Sequence, residues 1–167
     1  MLRIAKIGVN ANWPSGCASL AADNKYAYEV VISVDIYASH VCMNLFEKSP
    51  LAWKKIIDWS GREEEFVKRT SFALMACLAW HDKKTEDQKF IEILPVIKQG
   101  ATDERNYVKK AVNWALRNIG KRNPKLNRAA IKAAKQIQRM DSKAARWVAS
   151  QAIKELESEA VQKRLKR

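Results

Sequence analysis

Three isoleucines stand forty residues apart, at Ile57, Ile97 and Ile137. An aromatic-valine pair follows each of them: Phe66-Val67, Tyr107-Val108 and Trp147-Val148, spaced by 41 and then 40 residues. Each isoleucine lies near the end of an apolar-periodic segment (Leu51 to Trp59, Phe90 to Ile97, Asn127 to Met140). Each aromatic-valine pair belongs to a second such segment (Phe66 to Trp80, Tyr107 to Ile119, Trp147 to Leu156). The unit is helix, short polar turn, helix, longer turn. Two markers in a common register leave few ways to fold.

A period of about 40 residues built from helix pairs is the signature of HEAT and armadillo arrays. One unit cannot bury its apolar face alone, so neighbouring units must stack into a continuous core. The expectation is an all-α fold, an α-solenoid of HEAT/armadillo-like repeats. An ordinary helical bundle with coincident spacings is the alternative. The scarcity of Gly (5) and Pro (4) also favours helices. Thr102-Asp103-Glu104 predicts a capping residue and two acids ahead of the helix near Asn106. Gly120 reads as its stop, with Lys121, Arg122 and Pro124 beyond. Gly61 with Glu63-Glu64-Glu65, and Asp141-Ser142, play the same opening role for the helices of Phe66 and Trp147.

The first forty residues break the pattern. Met1 to Asp23 has weak periodicity and turn residues at Asn10, Asn12, Pro14 and Gly16. Tyr26 to Phe46 carries Val30, Val34, Ala38, Val41 and Leu45 at helical spacing, but Val30-Val31-Ile32 leaves its first half ambiguous. The predicted division is a divergent N-terminal segment or cap over 1–40 and a HEAT-like domain over 41–167.

Several function classes drop out. Cys17, Cys42 and Cys77 are far apart and odd in number, so they indicate neither a zinc site nor a disulfide framework. Two histidines, His40 and His81, argue against a histidine metal centre. No metal or cofactor is expected. No apolar run approaches the ~20 residues that span a bilayer, and no secretory signal is read at the N-terminus. The expected setting is cytoplasmic and nucleoid-associated.

Charge points to a partner. The formal net charge is +13. From Arg105 to Arg139 the chain has eleven lysines and arginines and no aspartate or glutamate. Val108, Ala111, Val112, Ala115 and Ile119 run through this stretch as one apolar stripe of a helix. Trp114 projects roughly 130° from the centre of that stripe. Tyr107, Lys110, Trp114, Arg117 and Lys121 follow at i, i+3, i+7, i+10 and i+14 and share one face. One repeat earlier, Phe66, Arg69, Ala73, Ala76 and Trp80 share a stripe, with Arg69 in register with Lys110. Cations alternating with large aromatics suit nucleic acid, because lysine and arginine neutralise phosphates while an indole stacks or presses on sugar and base. The competing reading has Trp114 packing against the next repeat beside solvated cations. Trp53, Trp59, Trp80 and Trp147 are assigned to the core, and His81-Asp82 to a solvated turn.

These residues resemble the DNA alkylation repair family, the HEAT-like alkylpurine DNA glycosylases often called AlkD-like. The resemblance rests on Val41-Cys42-Met43-Asn44-Leu45-Phe46, on Trp59-Ser60 leading to Phe66-Val67-Lys68-Arg69, and above all on the run from Val108 to Pro124. It is sharpest from Val41 to Asn127 and weaker to Leu156. It implies a solenoid cradling duplex DNA that carries alkylated bases, acting as a monomer. The implied reaction is hydrolysis of the N-glycosidic bond of N3- or N7-alkylated purines. It also implies that Arg69 and Trp114 line the DNA-contacting cleft, and the helical face described above adds Tyr107, Lys110, Arg117 and Lys121 as DNA-binding candidates.

The chain departs from that family at the catalytic motif. The family's tryptophan falls on Asp35 and its catalytic aspartate on Ser39. Serine carries no charge, and Asp35, one helical turn away, is the substitute candidate for the catalytic acid. Two alternatives therefore stand beside a glycosylase: a catalytically inactive DNA-binding HEAT module, and a protein-interaction scaffold.

Overall fold

A computed structural model describes residues 51–166, and they are helical throughout, with no strand among them. The helices are α1 (Leu51–Ser60), α2 (Glu65–His81), α3 (Asp87–Glu92), α4 (Leu94–Gly100), α5 (Asn106–Gly120), α6 (Pro124–Gln138), α7 (Lys143–Leu156) and α8 (Glu159–Leu165). They form two rows. α2, α5 and α7 lie side by side in one, and α1, α4 and α6 in the other, with each row packed on its neighbour. The proposed boundary at residue 40 lies outside the described residues.

Side-chain spacing explains the packing. Val108, Ala111, Val112, Ala115 and Ile119 of α5 are all buried, as the apolar stripe requires. In α7 the buried positions are Ala144, Ala145, Val148, Ala149, Ala152 and Leu156. Alanine at so many of these sites lets the helices approach closely. Val67, Val108 and Val148 are buried at equivalent places, as are Ile97 and Ile137. Ile57 is not: it is 52 % exposed, and its neighbour Ile56 is fully buried. The core face of α1 uses Ala52, Ile56 and Trp59, at i, i+4 and i+7, and Ile57 sits 100° away from it. The forty-residue marker in the first unit is therefore displaced by one residue.

Contacts between neighbouring units carry the period directly. Arg69 Nη1 donates to the Tyr107 carbonyl at 3.0 Å, and Arg105 Nη1 to the Glu63 carbonyl at 2.5 Å. Lys98 Nζ donates to Gln136 Oε1 at 2.8 Å, and Arg164 Nη2 to the Lys121 carbonyl at 2.8 Å. These partners are 38, 42, 38 and 43 residues apart. They also show that α2 and α5 run parallel. Phe66 and Tyr107 stack at their first turns, 5.6 Å between ring centroids, while Arg122, just past α5, reaches the carbonyls of Ala79 and Asp82 at the end of α2.

Three local expectations change. The segment from Phe90 to Ile97 is two short helices rather than one, divided at Ile93. Pro95 has no N–H and its ring would collide with the carbonyl four residues back, so a new helix starts with proline in its first turn. Thr102, Asp103 and Glu104 do not cap α5, whose N-cap is Arg105 without a side-chain bond. Glu104 instead accepts from Ser142 Oγ at 3.2 Å and Ala144 N at 3.4 Å, tying down the start of α7. Gly120 does not end α5 by left-handed geometry, since no described glycine has positive φ. A β-carbon there would lie 2.6 and 2.7 Å from the Leu156 methyls and 3.0 Å from Ala130 Cβ. Gly120 is where α5, α6 and α7 meet too closely for a side chain. Ser142, by contrast, caps α7 as expected, accepting from Ala145 N at 3.2 Å.

Asp103 joins two units. It accepts from Arg105 Nε at 2.9 Å and Nη2 at 2.6 Å, and pairs with Lys68 of α2 at 3.0 Å. Burial acts to raise its carboxyl, but hydrogen bonds from Arg105 and Lys68 outweigh it and hold it at about 2. A depressed acid contributes stability above its unfolded value, near 4, and loses it as pH falls through the folded value. Asp103→Asn is therefore expected to cost on the order of 1–2 kcal/mol at pH 7. The gap from wild type should close between pH ~4 and ~2, read from denaturant midpoints. A constant gap across that range would show that Asp103 acts through shape alone.

Candidate functional site

The groove between α2 and α5 holds a cleft of about 250 Å³ lined by Arg69, Tyr107, Lys110, Ala111 and Trp114. Four of these five are the aromatic and basic positions singled out from the sequence. Parallel packing of α2 on α5 brings them together, because it sets Arg69 one turn from Tyr107 and Lys110. Ala111 has only a methyl group to offer and leaves the space open.

Each side chain is held differently. Arg69 is only 6 % exposed, so it forms the floor of the cleft rather than its rim. Its guanidinium bonds the Tyr107 carbonyl and lies 5.7 Å from the centroid of the Tyr107 ring. Phe66 packs against the same ring. Lys110 is exposed at the mouth and makes no ion pair among the described residues. Trp114 is half-buried: part of the indole packs on the hydrophobic core and part lines the cleft. The indole is therefore partly core and partly cleft wall.

Arg117 and Lys121 do not line this cleft. Arg117 forms an ion pair with Glu155 of α7, and Lys121 Nζ lies 2.8 Å from the same carboxylate. Burial acts to raise the Glu155 carboxyl, but the two cations outweigh it and hold it below the usual glutamate range. The stretch from Arg105 to Arg139 is acid-free in sequence but not in space. Asp103 pairs with Arg105, Asp87 lies 4.0 Å from Arg122, Glu155 takes Arg117 and Lys121, and Glu157 pairs with Lys135, so acids from outside the stretch offset part of its charge.

Nearby positions also differ from expectation. Trp59 is buried and Trp53 packs edge-on against Phe90 with centroids 5.3 Å apart, both as core residues should. Trp80 and Trp147 are exposed. The helical stripe of Trp80 did not signal this, since Phe66, Arg69, Ala73 and Ala76 on it are all buried. His81 is exposed, but Asp82 is buried. Its carboxylate accepts from Lys84 N at 2.9 Å and from Thr85 N at 3.0 Å and Oγ1 at 2.5 Å, closing the turn after α2. Asp35 and Ser39 lie outside the described residues, as do Cys17, Cys42 and His40.

An exposed lysine, a buried guanidinium and two aromatic faces around one concavity suit a ligand that is both anionic and planar. Among the described residues no acid lines the cleft. Residues 31–156 match the family described as DNA alkylation repair enzyme, a span that includes the whole cleft. The chain belongs to the DNA alkylation repair enzyme family. No individual curated protein matches it significantly. The family match covers Asp35 and Ser39 and ends with the last turn of α7. Membership points to a role in alkylation repair. No helix among the described residues is long and apolar enough to cross a membrane. Nor does any group of three or more acidic, histidine or cysteine side chains among them converge as a metal site.

Proposed function

We propose that this member of the DNA alkylation repair family is a HEAT-like helical-repeat protein. In this reading it binds duplex DNA along the α2–α5 groove and hydrolyses the N-glycosidic bond of N3- or N7-alkylated purines there. The observation that carries the reading is the shared cleft of Arg69, Tyr107, Lys110 and Trp114 inside the family-matched span. Lys110 at the mouth meets a phosphate. Trp114 and Tyr107 give aromatic faces to the sugar and to a cationic base.

Such a site needs little more for the reaction. An alkylated purine is positively charged and already a good leaving group. As its bond to the sugar breaks, the sugar gains oxocarbenium character. A carboxylate stabilises that charge and orients the attacking water. The cleft's described lining supplies none; the candidate acid is Asp35, and by the family resemblance Ser39 falls on the aspartate position.

Release of 7-methylguanine or 3-methyladenine from duplex DNA tests this. Wild type should release the base, and Asp35→Asn should slow release roughly 100-fold or more. Duplex binding with no release would instead identify an inactive DNA-binding module, and gain of release in Ser39→Asp would locate the missing acid. Absence of duplex binding at moderate salt would remove the proposal.

A further inference from the structure

A second concavity of about 480 Å³ lies at the C-terminal ends of α2 and α5, and its lining includes Trp80, Lys83, Lys121, Arg122 and Arg164 and no acid among the described residues. We propose that this concavity binds one unpaired nucleotide of a DNA strand, its base stacked on Trp80 and its phosphate held by Lys83 and Arg164. The inference rests on the duplex-binding reading of the first cleft for its placement.

Trp80 is a large aromatic on an otherwise buried helix, yet it is 51 % exposed. The cations around it are oriented by neutral groups. Lys83 Nζ bonds the Trp80 carbonyl at 2.6 Å, Arg164 Nη2 the Lys121 carbonyl at 2.8 Å, and Arg122 the carbonyls of Thr85 and Asp82. Carbonyl acceptors fix a cation's position without cancelling its charge. Lys121 shares Glu155 with Arg117, and Asp87 lies 4.0 Å from Arg122, so among the described residues Lys83 and Arg164 are the lining cations with no acid partner. Capping of the α2 and α5 carbonyl ends accounts for Arg122, whose side chain is buried over the Phe90 ring. It does not account for an exposed indole set beside two exposed cations.

The chemistry selects an unpaired nucleotide. In a duplex the faces of the bases are stacked on each other, and an indole meets only base edges, sugar and phosphate. An unpaired base offers its face, and stacking on an aromatic is tolerant of sequence. The volume suits a ligand of nucleotide size. Spacing along the helices sets the distance. Trp114 to Lys121 is seven residues and Arg69 to Trp80 is eleven, which is ~10 to ~16 Å of helix. At ~3.4 Å per nucleotide this places the unpaired nucleotide about three to five positions from the first cleft.

The test compares a blunt duplex with the same duplex carrying a five-thymidine overhang at either the 5′ or the 3′ end. Fluorescence anisotropy is the readout. Wild type should bind one of the overhang duplexes roughly tenfold tighter than the blunt one. Trp80→Ala should erase that gain and leave blunt-duplex affinity within about twofold, while Trp80→Phe retains part of it. Equal affinity for blunt and both overhang duplexes would overturn the proposal, and so would a gain that survives Trp80→Ala. Quenching of tryptophan fluorescence by free oligothymidine supplies a separate reading. If quenching depends on Trp80 while blunt duplex fails to bind, this site stands and the duplex proposal falls. If blunt duplex binds but neither overhang nor oligothymidine engages Trp80, the reverse holds.

Discussion

Gly100→Ala is expected to destabilise the protein by about 1–2 kcal/mol, although the same exchange within a helix ordinarily stabilises it by roughly 0.5–1 kcal/mol. The sign reverses because of Phe72. A β-carbon on Gly100 would sit 3.0 Å from two carbons of the Phe72 ring and closer still to its Cζ. The ring cannot swing clear, because Phe72 is fully buried in the middle of α2. Either α4 moves off α2 or the ring leaves its rotamer, and both forfeit core contacts. Thermal unfolding should show a midpoint lowered by ~3–8 °C. Phe72→Leu, which shortens the intruding side chain, should cancel the penalty: in that background Gly100→Ala becomes neutral or stabilising. Additive costs in the double variant would show that the two residues do not share this contact.

Lys110→Glu should weaken duplex binding at least tenfold near 0.1 M salt, with a smaller loss for Lys110→Gln. Lys110 stands at the mouth of the first cleft with no acid partner among the described residues, so its charge is available to the phosphates. Reversal removes one favourable contact and adds a repulsion. The slope of log affinity against log salt should become shallower by about 1 for the glutamine variant and by more for glutamate. Glu155→Gln should act in the opposite direction. It releases Arg117 and Lys121 from their shared carboxylate, raises affinity and steepens the slope. An unchanged slope in both Lys110 variants would move the DNA contact to another face.

The helices were legible because their signals are local. The apolar-periodic segment from Tyr107 to Ile119 predicts α5 to within a residue at each end. The same regularity grouped Tyr107, Lys110 and Trp114 on one face, and the forty-residue register put Arg69 beside them, as the shared cleft now does. Errors arose where one residue changes the geometry. Pro95 split a helix that periodicity joined, and Ile57 matched the repeat spacing while Ile56 took the core position. Trp80 shares its stripe with Phe66, Arg69, Ala73 and Ala76, all buried, yet is itself exposed. An indole near a helix end is covered only if another element reaches it.

From the sequence alone come the repeat, the apolar stripes and the basic-aromatic face of α5, all written in residues one to three turns apart. Tertiary structure decided which cations keep their charge, which glycines are obligatory and which tryptophan is open to solvent. Glu155 reaches Arg117 and Lys121 from 38 and 34 residues away, and Leu156 reaches Gly120 from 36. Helical periodicity depends on bonds along one helix. Charge cancellation and close approach depend on which helix arrives next, and only the packed chain specifies that.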